Sequence, residues 1–370
     1  MNTVEYEQGL GRRIARERRH GWSQPQADVL EVPVPELAAG ASSGSGEPSR
    51  SAAADGLRLL LAGAHSLCAM LGESHAPSIE SLRRTTERAC ALARASEFEQ
   101  LTSVLGGLLP GLEAGVRTMP HGQRADAYEL TALAYQACSA ALMQLGEPFT
   151  AWVAADRAIA AAEKAGNLLL AAAGQYRLAS VFLDSREYAL AEEIARTSLL
   201  ALRGLAELDD PDALSICGGL TLLRAVIAAR TDHPAAAFGH LAKARLLASR
   251  LGGRLADGMP EFGAQYVALS EVAVSVDLGD AGHALRTAAS VDTASLSPAR
   301  LARMLIDVAR AYALRQQVDE ATAALTRAVE LGPGQARDQA GQVISDLLSM
   351  HSPPARSLRA LAERVRALPS

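Results

Sequence analysis

The stretch from Leu301 to Pro333 constrains the fold of this chain more than any other. Small or apolar residues recur there at steps of three and four, interrupted once by the polar pair Gln316–Gln317. Such steps are the period of an amphipathic helix. Because the interruption is long enough only for a tight turn, the two segments must fold back on each other as an antiparallel helical pair. Pro333 cannot continue the second helix and marks its end.

The same packing signature recurs before this pair. An apolar or small residue, two other residues and then a packing residue open each predicted second helix. The five copies begin at Phe149/Trp152, Tyr188/Ala191, Pro234/Ala237, Ala281/Ala284 and Val318/Ala321. Phe98 and Leu101 form a candidate sixth, degenerate copy. Generic helical hairpins without a true repeat are the alternative, but five aligned copies favour a repeat.

This signature resembles the tetratricopeptide repeat. Ala309 and Tyr312 lie where that repeat carries a small residue and an aromatic in its first helix, and Pro333 lies where it closes. Its packing positions in the second helix correspond to Val318, Ala321, Leu325 and Ala328. The copies are spaced by more than the usual ~34 residues, which indicates lengthened loops or helix ends. The resemblance implies an all-α, right-handed helical-repeat solenoid.

The composition of the chain agrees with an all-α fold. Hydrophobic residues make up 49% of the 370 residues and aromatics only 4%. The apolar content is therefore carried by Ala, Leu and Val, which suits closely packed helices rather than a β-rich fold. With a net charge of −5 and a pI of about 6.0, the chain as a whole is not a basic nucleic-acid binder.

The expected location of the protein is the cytoplasm. No apolar run is long enough to span a bilayer, and the N-terminus lacks the apolar region of a signal peptide. The cysteines are far apart and form no CxxC pair, so reduced, buried thiols are expected. They are Cys68, Cys90, Cys138 and Cys217.

The N-terminal segment carries a different pattern. A short basic amphipathic helix is predicted from Leu10 to His20, Gly21 ends it, and Ser23 can cap a new helix. This order resembles the opening of a Cro/CI-type (Xre family) helix-turn-helix domain. The arginines of the basic helix are candidate phosphate contacts, namely Arg12, Arg13, Arg16, Arg18 and Arg19.

The resemblance to that domain breaks after the second helix. Pro33 and Pro35 forbid a recognition helix in the stretch that follows. The segment is therefore interpreted as a helix-turn-helix remnant that lacks the element entering the major groove. Sequence-specific DNA binding is expected to be impaired. An unrelated basic arm is the alternative.

The sequence divides into three predicted parts. Residues 1–37 are the helix-turn-helix remnant, residues 38–55 are a Ser/Gly/Ala-rich flexible linker, and residues 56–370 are the helical-repeat domain. In the last part, helices are predicted at Leu57–Leu71, Ile79–Arg94 and Phe98–Val116, followed by repeat pairs from Gln123 to Leu331 and by two final helices, Gln335–Met350 and Ser357–Leu368.

No pattern in the sequence predicts catalysis or a cofactor. The histidines are scattered without metal-ligand spacing, and the cysteine spacings do not suit zinc. Neither Gly106–Gly107 nor Gly252–Gly253 is followed by Lys-Ser or Lys-Thr, so no phosphate loop is predicted. We therefore expect neither an enzyme nor a bound cofactor or metal.

What remains is a surface for a partner. In tetratricopeptide stacks the first helix of each pair lines a concave groove. The resemblance places eight residues there: Tyr176, Ser180, Asp184, Arg230, Tyr266, Asp277, Arg303 and Arg310. Tyrosine and arginine dominate binding hot spots, and arginine can hold a carboxylate with two parallel bonds. An acidic peptide or one with a free C-terminal carboxylate is the expected ligand, unless these residues are merely polar groove walls.

The order of the three parts resembles a class of bacterial transcriptional regulators of actinobacterial type, in which an Xre-type domain and a linker precede tetratricopeptide repeats. In that class the repeats bind a peptide or protein partner, or dimerise, and so control DNA binding. The resemblance implies a regulator-like protein. An interaction scaffold that no longer touches DNA is the alternative.

Overall fold

The computed structural model describes residues 51–62, 77–252, 262–331, 334–350 and 356–367. Every regular element within them is helical, so the all-α prediction is confirmed for this part of the chain. The predicted helix-turn-helix remnant and most of the predicted linker lie outside the described residues. The remnant contains the candidate phosphate contacts Arg12, Arg13, Arg16, Arg18 and Arg19.

The sixteen α-helices of the described residues are numbered in chain order. They are α1 Ala52–Leu61, α2 Ile79–Ala95, α3 Phe98–Thr118, α4 His121–Gln144, α5 Pro148–Ala165, α6 Leu168–Asp184, α7 Tyr188–Ala201, α8 Arg203–Glu207, α9 Pro211–Arg230, α10 Pro234–Leu251, α11 Ala264–Asp277, α12 Ala281–Ala289, α13 Pro298–Leu314, α14 Val318–Leu331, α15 Gly334–Met350 and α16 Arg356–Ala367. A 3₁₀ turn, Thr293–Ser295, precedes α13.

The helices form consecutive pairs in which each second helix packs on the first. The pairs are α2/α3, α4/α5, α6/α7, α9/α10, α11/α12, α13/α14 and α15/α16. The predicted pair within 301–333 is confirmed as α13 and α14. Each first helix from α2 to α13 also packs against the first helix of the next pair. Each second helix from α5 to α14 packs against the first helix of the next pair as well. One buried core therefore passes from pair to pair.

The turns inside six of these pairs share one backbone geometry. In each, the N–H of the residue before the second helix donates to a carbonyl five residues earlier, with N···O distances of 2.8 to 3.0 Å. The residue just before that donor has a left-handed φ between 58° and 81°, at Ser96, Gly146, Arg186, Asp232, Gly279 and Gln316. Only two are glycine, so four non-glycine residues each bear a backbone cost of roughly 1–2 kcal/mol. The six pairs thus repeat one local structure.

The shared turns correct the register of one predicted copy. The second helix of its pair starts at Pro148, so the packing pair equivalent to Val318/Ala321 is Pro148/Ala151 and not Phe149/Trp152. Ala151 is fully buried, whereas Phe149 is 72% and Trp152 42% exposed. The sequence prediction was wrong by one residue because the large aromatics matched the consensus better than proline and alanine did.

The other five copies keep their predicted register. Their packing residues are fully buried at Leu101, Ala191, Ala237, Ala284 and Ala321. Phe98 and Leu101 therefore open a second helix in the same way as the other copies do. At the packing position the rest carry alanine, which lets the two helix axes approach closely.

The first helix differs from its prediction at both ends. It begins at Ala52 rather than at Leu57, within the predicted linker, because the Ser51 hydroxyl oxygen accepts a hydrogen bond from the Ala54 N–H at 3.1 Å. Ala53 and Ala54 are buried, so these small residues are part of the packed domain. The helix ends at Leu61, and the rest of the predicted helix, residues 63–71, lies outside the described residues.

The pair α2/α3 buries several large apolar side chains. One face of α3 carries five buried leucines, which we call the leucine core: Leu101, Leu105, Leu108, Leu109 and Leu112. They belong to a cluster that also includes buried residues of α1, α2, α4 and α5. This end of the domain is therefore held mainly by burial of apolar area.

Candidate partner-binding surface

The eight predicted groove residues all lie on first helices, and five of them are joined by ion pairs. Asp184, Arg230 and Asp277 are each the last residue of their helix, at the ends of α6, α9 and α11. Arg303 and Arg310 lie on α13. Because consecutive first helices pack side by side, these residues come from four neighbouring helices of the array.

Asp277 is the centre of the largest group of ion pairs. Its two carboxylate oxygens accept from different arginines, Arg230 Nε at 3.1 Å and Arg310 Nη2 at 2.6 Å. Arg310 also donates through Nη1 to Asp307 Oδ1 at 3.1 Å. The Asp277 side chain is only 5% exposed. We call Arg230, Asp277, Asp307 and Arg310 the ion-pair row, since it joins α9, α11 and α13.

Burial and neighbouring charge oppose each other in the ion-pair row. Burial raises the pKa of Asp307, and Asp277 adds to that rise, while Arg303 and Arg310 act to lower it. For Arg310, burial acts to lower the pKa, but the carboxylates of Asp277 and Asp307 outweigh it and the pKa is raised. The two carboxylates therefore favour the charged form of Arg310, whose side chain is 35% exposed.

A weaker ion pair connects two helices that are far apart in the array. Arg303 Nη2 of α13 lies 3.8 Å from Asp184 Oδ1 of α6, with two pairs of helices between them in sequence. The side chains are 42% and 20% exposed. Helix α15 likewise contacts α4, across four intervening pairs. The first helices of distant pairs thus face each other closely enough to make contact.

The remaining three predicted residues are held within or between adjacent helices. The Ser180 hydroxyl donates to the Tyr176 carbonyl at 2.8 Å. The Tyr176 ring packs against α9, where a Cβ added at Gly219 would lie 3.0 Å from its Cε2. The guanidinium of Arg300 stacks over the Tyr266 ring at 4.0 Å from its centroid, a favourable cation–π distance.

Two residues of this surface were missed by the sequence analysis, Arg300 and Asp307. Together with Arg303 and Arg310 they recur on α13 at steps of three and four, so the four share one face of the helix. That periodicity was visible in the sequence and could have identified them. We call Arg300, Arg303 and Arg310 the arginine stripe.

Two further ion-pair groups connect neighbouring pairs. Glu271 of α11 accepts from Arg245 Nη2 at 2.6 Å, and its other oxygen lies 2.8 Å from His283 Nε2. Burial acts to raise the pKa of Glu271, but the hydrogen bonds from Arg245 and His283 outweigh it and the pKa is lowered. Glu192 of α7 forms a half-buried pair with Arg224 of α9 at 2.6 Å.

A separate apolar patch is formed by aromatic side chains of α5 and α6. Phe149 and Trp152 of α5 are in edge contact, with ring centroids 6.1 Å apart. Trp152 also lies 5.8 Å from the Phe182 ring of α6. We call these three rings the aromatic patch. Exposed aromatic residues of this kind are common at protein–protein contacts.

The described residues contain no group of three or more His, Cys, Asp or Glu that could hold a metal ion. The free thiols of Cys138 and Cys217 are buried, which raises their pKa to about 12 and about 11. Nearby positive charges act against burial, Arg157 at Cys138, and Lys243 and Arg250 at Cys217. Such thiols are protonated at neutral pH and are poor nucleophiles. Cys68 lies outside the described residues.

Among the described helices, α9 is the one long and apolar enough to cross a membrane by length and composition. Within its most apolar window, 83% is buried inside the protein. Its apolar character is explained by its position, since α9 contacts α6, α7, α10 and α11.

No protein-family model, curated protein or solved structure matches this chain. The functional assignment therefore rests on the chemistry and geometry of the surface formed by the first helices.

Proposed function

We propose that this chain is a cytoplasmic helical-repeat protein of tetratricopeptide type that acts by binding a protein or peptide partner and has no catalytic activity. The observation that carries this proposal is the row of Arg, Asp and Tyr side chains contributed by successive first helices. In this proposal residues 1–37 descend from the helix-turn-helix of an Xre-type regulator and no longer read DNA sequence.

The repeated local structure supports the tetratricopeptide assignment. Six pairs use the same turn, and each first helix packs against the pairs on either side. A solenoid of stacked helical pairs has these contacts, because each repeat buries its apolar face only against its neighbours. In such an array the first helices form a continuous surface, which is where the predicted binding residues lie.

The chemistry of that surface favours a carboxylate-bearing ligand. Arg310 already holds two carboxylates, Asp277 and Asp307, at hydrogen-bonding distance. The guanidinium group forms such charge-assisted bonds in a fixed geometry. A peptide that presents an acidic side chain or its C-terminal carboxylate can use the exposed Arg303 in the same way.

A selection from random peptides tests this function. Immobilised full-length protein would be screened against twelve-residue peptides with free C-termini, and we expect enrichment of peptides with acidic residues or a defined C-terminal motif. The double variant Arg303→Gln with Arg310→Gln should weaken the enriched peptides about tenfold or more. Its matched control is Arg203→Gln with Arg327→Gln, which removes the same charge from exposed positions.

Two outcomes would count against the proposal. If no peptide is enriched, or if the double variant binds the enriched peptides as tightly as the wild type does, the surface of the first helices is not the binding site. Far-ultraviolet circular dichroism and the melting temperature of each variant would establish that a lost affinity is not lost folding.

A selection from random DNA tests the proposed loss of sequence-specific DNA binding. Base recognition requires side chains presented in the major groove, and phosphate contacts alone position a protein without specifying sequence. We expect random DNA at physiological salt to yield no enriched motif with the full-length protein. A defined motif would show that the N-terminal segment still reads DNA.

Homodimerisation is a second candidate, favoured by the aromatic patch. Three rings lie together at the surface of a chain with only 4% aromatic residues. If the patch joins two copies, light scattering on a sizing column should give a dimer for the wild type and a monomer for Trp152→Ala. A wild-type monomer at 100 μM would exclude this role.

A further inference from the structure

We infer that Asp184 pairs with Arg303 at the position where a carboxylate of the partner binds. The partner is an acidic peptide segment that displaces Asp184 and binds along the arginine stripe. This inference rests on the proposed function and deepens it. It names the chemistry of the ligand, and it assigns to Asp184 the role of an internal competitor.

The arginine stripe makes one face of α13 positively charged. The face that carries the arginine stripe has three arginines and one acidic residue, Asp307. The other counter-charges come from different helices, Asp277 from α11 and Asp184 from α6. The positive charge of α13 is therefore balanced by residues that other parts of the array supply.

The counter-charges Asp277 and Asp184 are held with unequal strength. Asp277 is almost fully buried and accepts from two arginines at 3.1 and 2.6 Å. Asp184 reaches Arg303 at only 3.8 Å, and the arginine side chain is 42% exposed. Ion pairs accessible to solvent contribute little net stability, because water replaces each partner at small cost. Of these two aspartates, Asp184 is the one that an incoming carboxylate can replace.

The arginine stripe is about as long as a short extended peptide. Arg300 and Arg303 lie one turn apart, and Arg300 is separated from Arg310 by about 15 Å at a rise of ~1.5 Å per residue. An extended peptide covers that distance in about five residues. Since Arg310 is engaged by Asp277 and Asp307 and the Arg300 guanidinium stacks over Tyr266, ligand carboxylates are expected mainly at and beside Arg303. A segment with several acidic side chains fits this arrangement better than one terminal carboxylate does.

The acidic residues among the arginines disfavour a nucleic acid as the ligand. The arginines of the stripe lie among three acidic residues, Asp184, Asp277 and Asp307. These would repel a continuous phosphate backbone, whereas a peptide can place its carboxylates only where an arginine receives them.

The inference is tested with three fluorescein-labelled probes and the full-length protein. Hexaglutamate with an amidated C-terminus carries only side-chain carboxylates, hexaglutamine with a free C-terminus carries only the terminal one, and hexathymidylate carries phosphates. Binding is measured by fluorescence anisotropy at two salt concentrations. The variants are Asp184→Asn, Arg303→Gln and, as a control with the same charge change on an exposed residue of α5, Asp156→Asn.

We expect Asp184→Asn to tighten binding of the hexaglutamate probe about two- to fivefold, which is the effect of removing one exposed ion pair. Arg303→Gln should weaken it by at least as much, and Asp156→Asn should leave it within error of the wild type. Higher salt should weaken hexaglutamate binding by every variant that binds it.

Other outcomes would overturn the inference. If Asp184→Asn behaves like Asp156→Asn, Asp184 is not a competitor. If hexaglutamine or hexathymidylate binds and hexaglutamate does not, the partner is not an acidic segment. If no variant binds hexaglutamate, the inference also fails. In each case the proposed function is judged separately, since the random-peptide selection can still yield a ligand that needs Arg303 and Arg310.

Discussion

The leucine core and the ion-pair row hold neighbouring helices together by opposite chemistry, although the pairs around them share the same turn. The leucine core buries large apolar side chains between α3 and its neighbours. The ion-pair row instead joins α9, α11 and α13 through two arginines and two aspartates. One backbone plan thus supports two kinds of contact between helices.

The two regions differ in how much their contacts contribute to the stability of the array. Apolar burial is non-directional and contributes most of the folding free energy. Buried ion pairs regain little beyond their desolvation cost, but removing one partner leaves the other uncompensated. The ion-pair row is therefore expected to fix the alignment of three helices.

The largest expected effect lies in the leucine core. Leu105→Ala removes a fully buried side chain, and we expect a loss of about 2–5 kcal/mol in the free energy of unfolding. Urea denaturation at low and high salt measures it, and the loss should not depend on salt. Leu200→Ala, at an exposed position, is the control. A loss below about 1 kcal/mol for Leu105→Ala would mean that this cluster is loosely packed.

The next effect tests the register of α5. Ala151→Trp overpacks a fully buried position and should cost roughly 1–3 kcal/mol, whereas Phe149→Ala should change stability by less than about 0.5 kcal/mol because that ring is exposed. Thermal melts of both variants distinguish the two registers. The reverse order of effects would restore Phe149/Trp152 as the packing pair. Ala321→Trp on α14 should behave like Ala151→Trp.

The ion-pair row should respond differently from the leucine core. Asp277→Asn leaves Arg230 and Arg310 without their shared carboxylate, and we expect a loss of roughly 1–3 kcal/mol. Glu193→Gln, which breaks an exposed pair with Arg196, is the control and should have little effect. Hydrogen exchange should increase in α9, α11 and α13. Unchanged exchange there would show that the row does not align these helices.

The smallest effect concerns pH and Glu271. Its pKa is lowered in the folded protein, since the hydrogen bonds from Arg245 and His283 outweigh burial. A carboxyl group with a lowered folded pKa contributes stability above its unfolded pKa, and this is lost as pH falls through the folded value. The stability difference between wild type and Glu271→Gln should therefore shrink from pH 7 to pH 3. A difference that stays constant would show that Glu271 does not titrate as proposed.

Much of the fold could be predicted from the sequence because helical pairs are encoded locally. The steps of three and four on α13 and α14, and the polar break between them, placed that pair correctly. Proline and glycine signals helped less, since four of the six shared turns use Ser, Arg, Asp or Gln at the left-handed position. At Asp210–Pro211, where α9 starts, the Asp210 carboxylate accepts from the Ala213 N–H.

The binding surface was predictable only in part. Repeat periodicity placed Tyr176, Tyr266 and the arginines on first helices, but it gave no information on which side chains pair with each other. That Asp277 takes two arginines while Asp184 reaches across to α13 depends on the distances between helices that are far apart in sequence. The proposed role of each residue remains a prediction for the peptide-binding experiments.

The helical class, the order of the pairs and the starts of most second helices followed from the sequence, because local periodicity, capping and turns encode them. Only the tertiary structure decided that α1 begins at Ala52, that Ala151 rather than Trp152 is buried, and that Asp277 is enclosed between Arg230 and Arg310. Each of these depends on which neighbouring helix covers the residue. Burial and ion pairing are properties of the packed array, and no single helix specifies them.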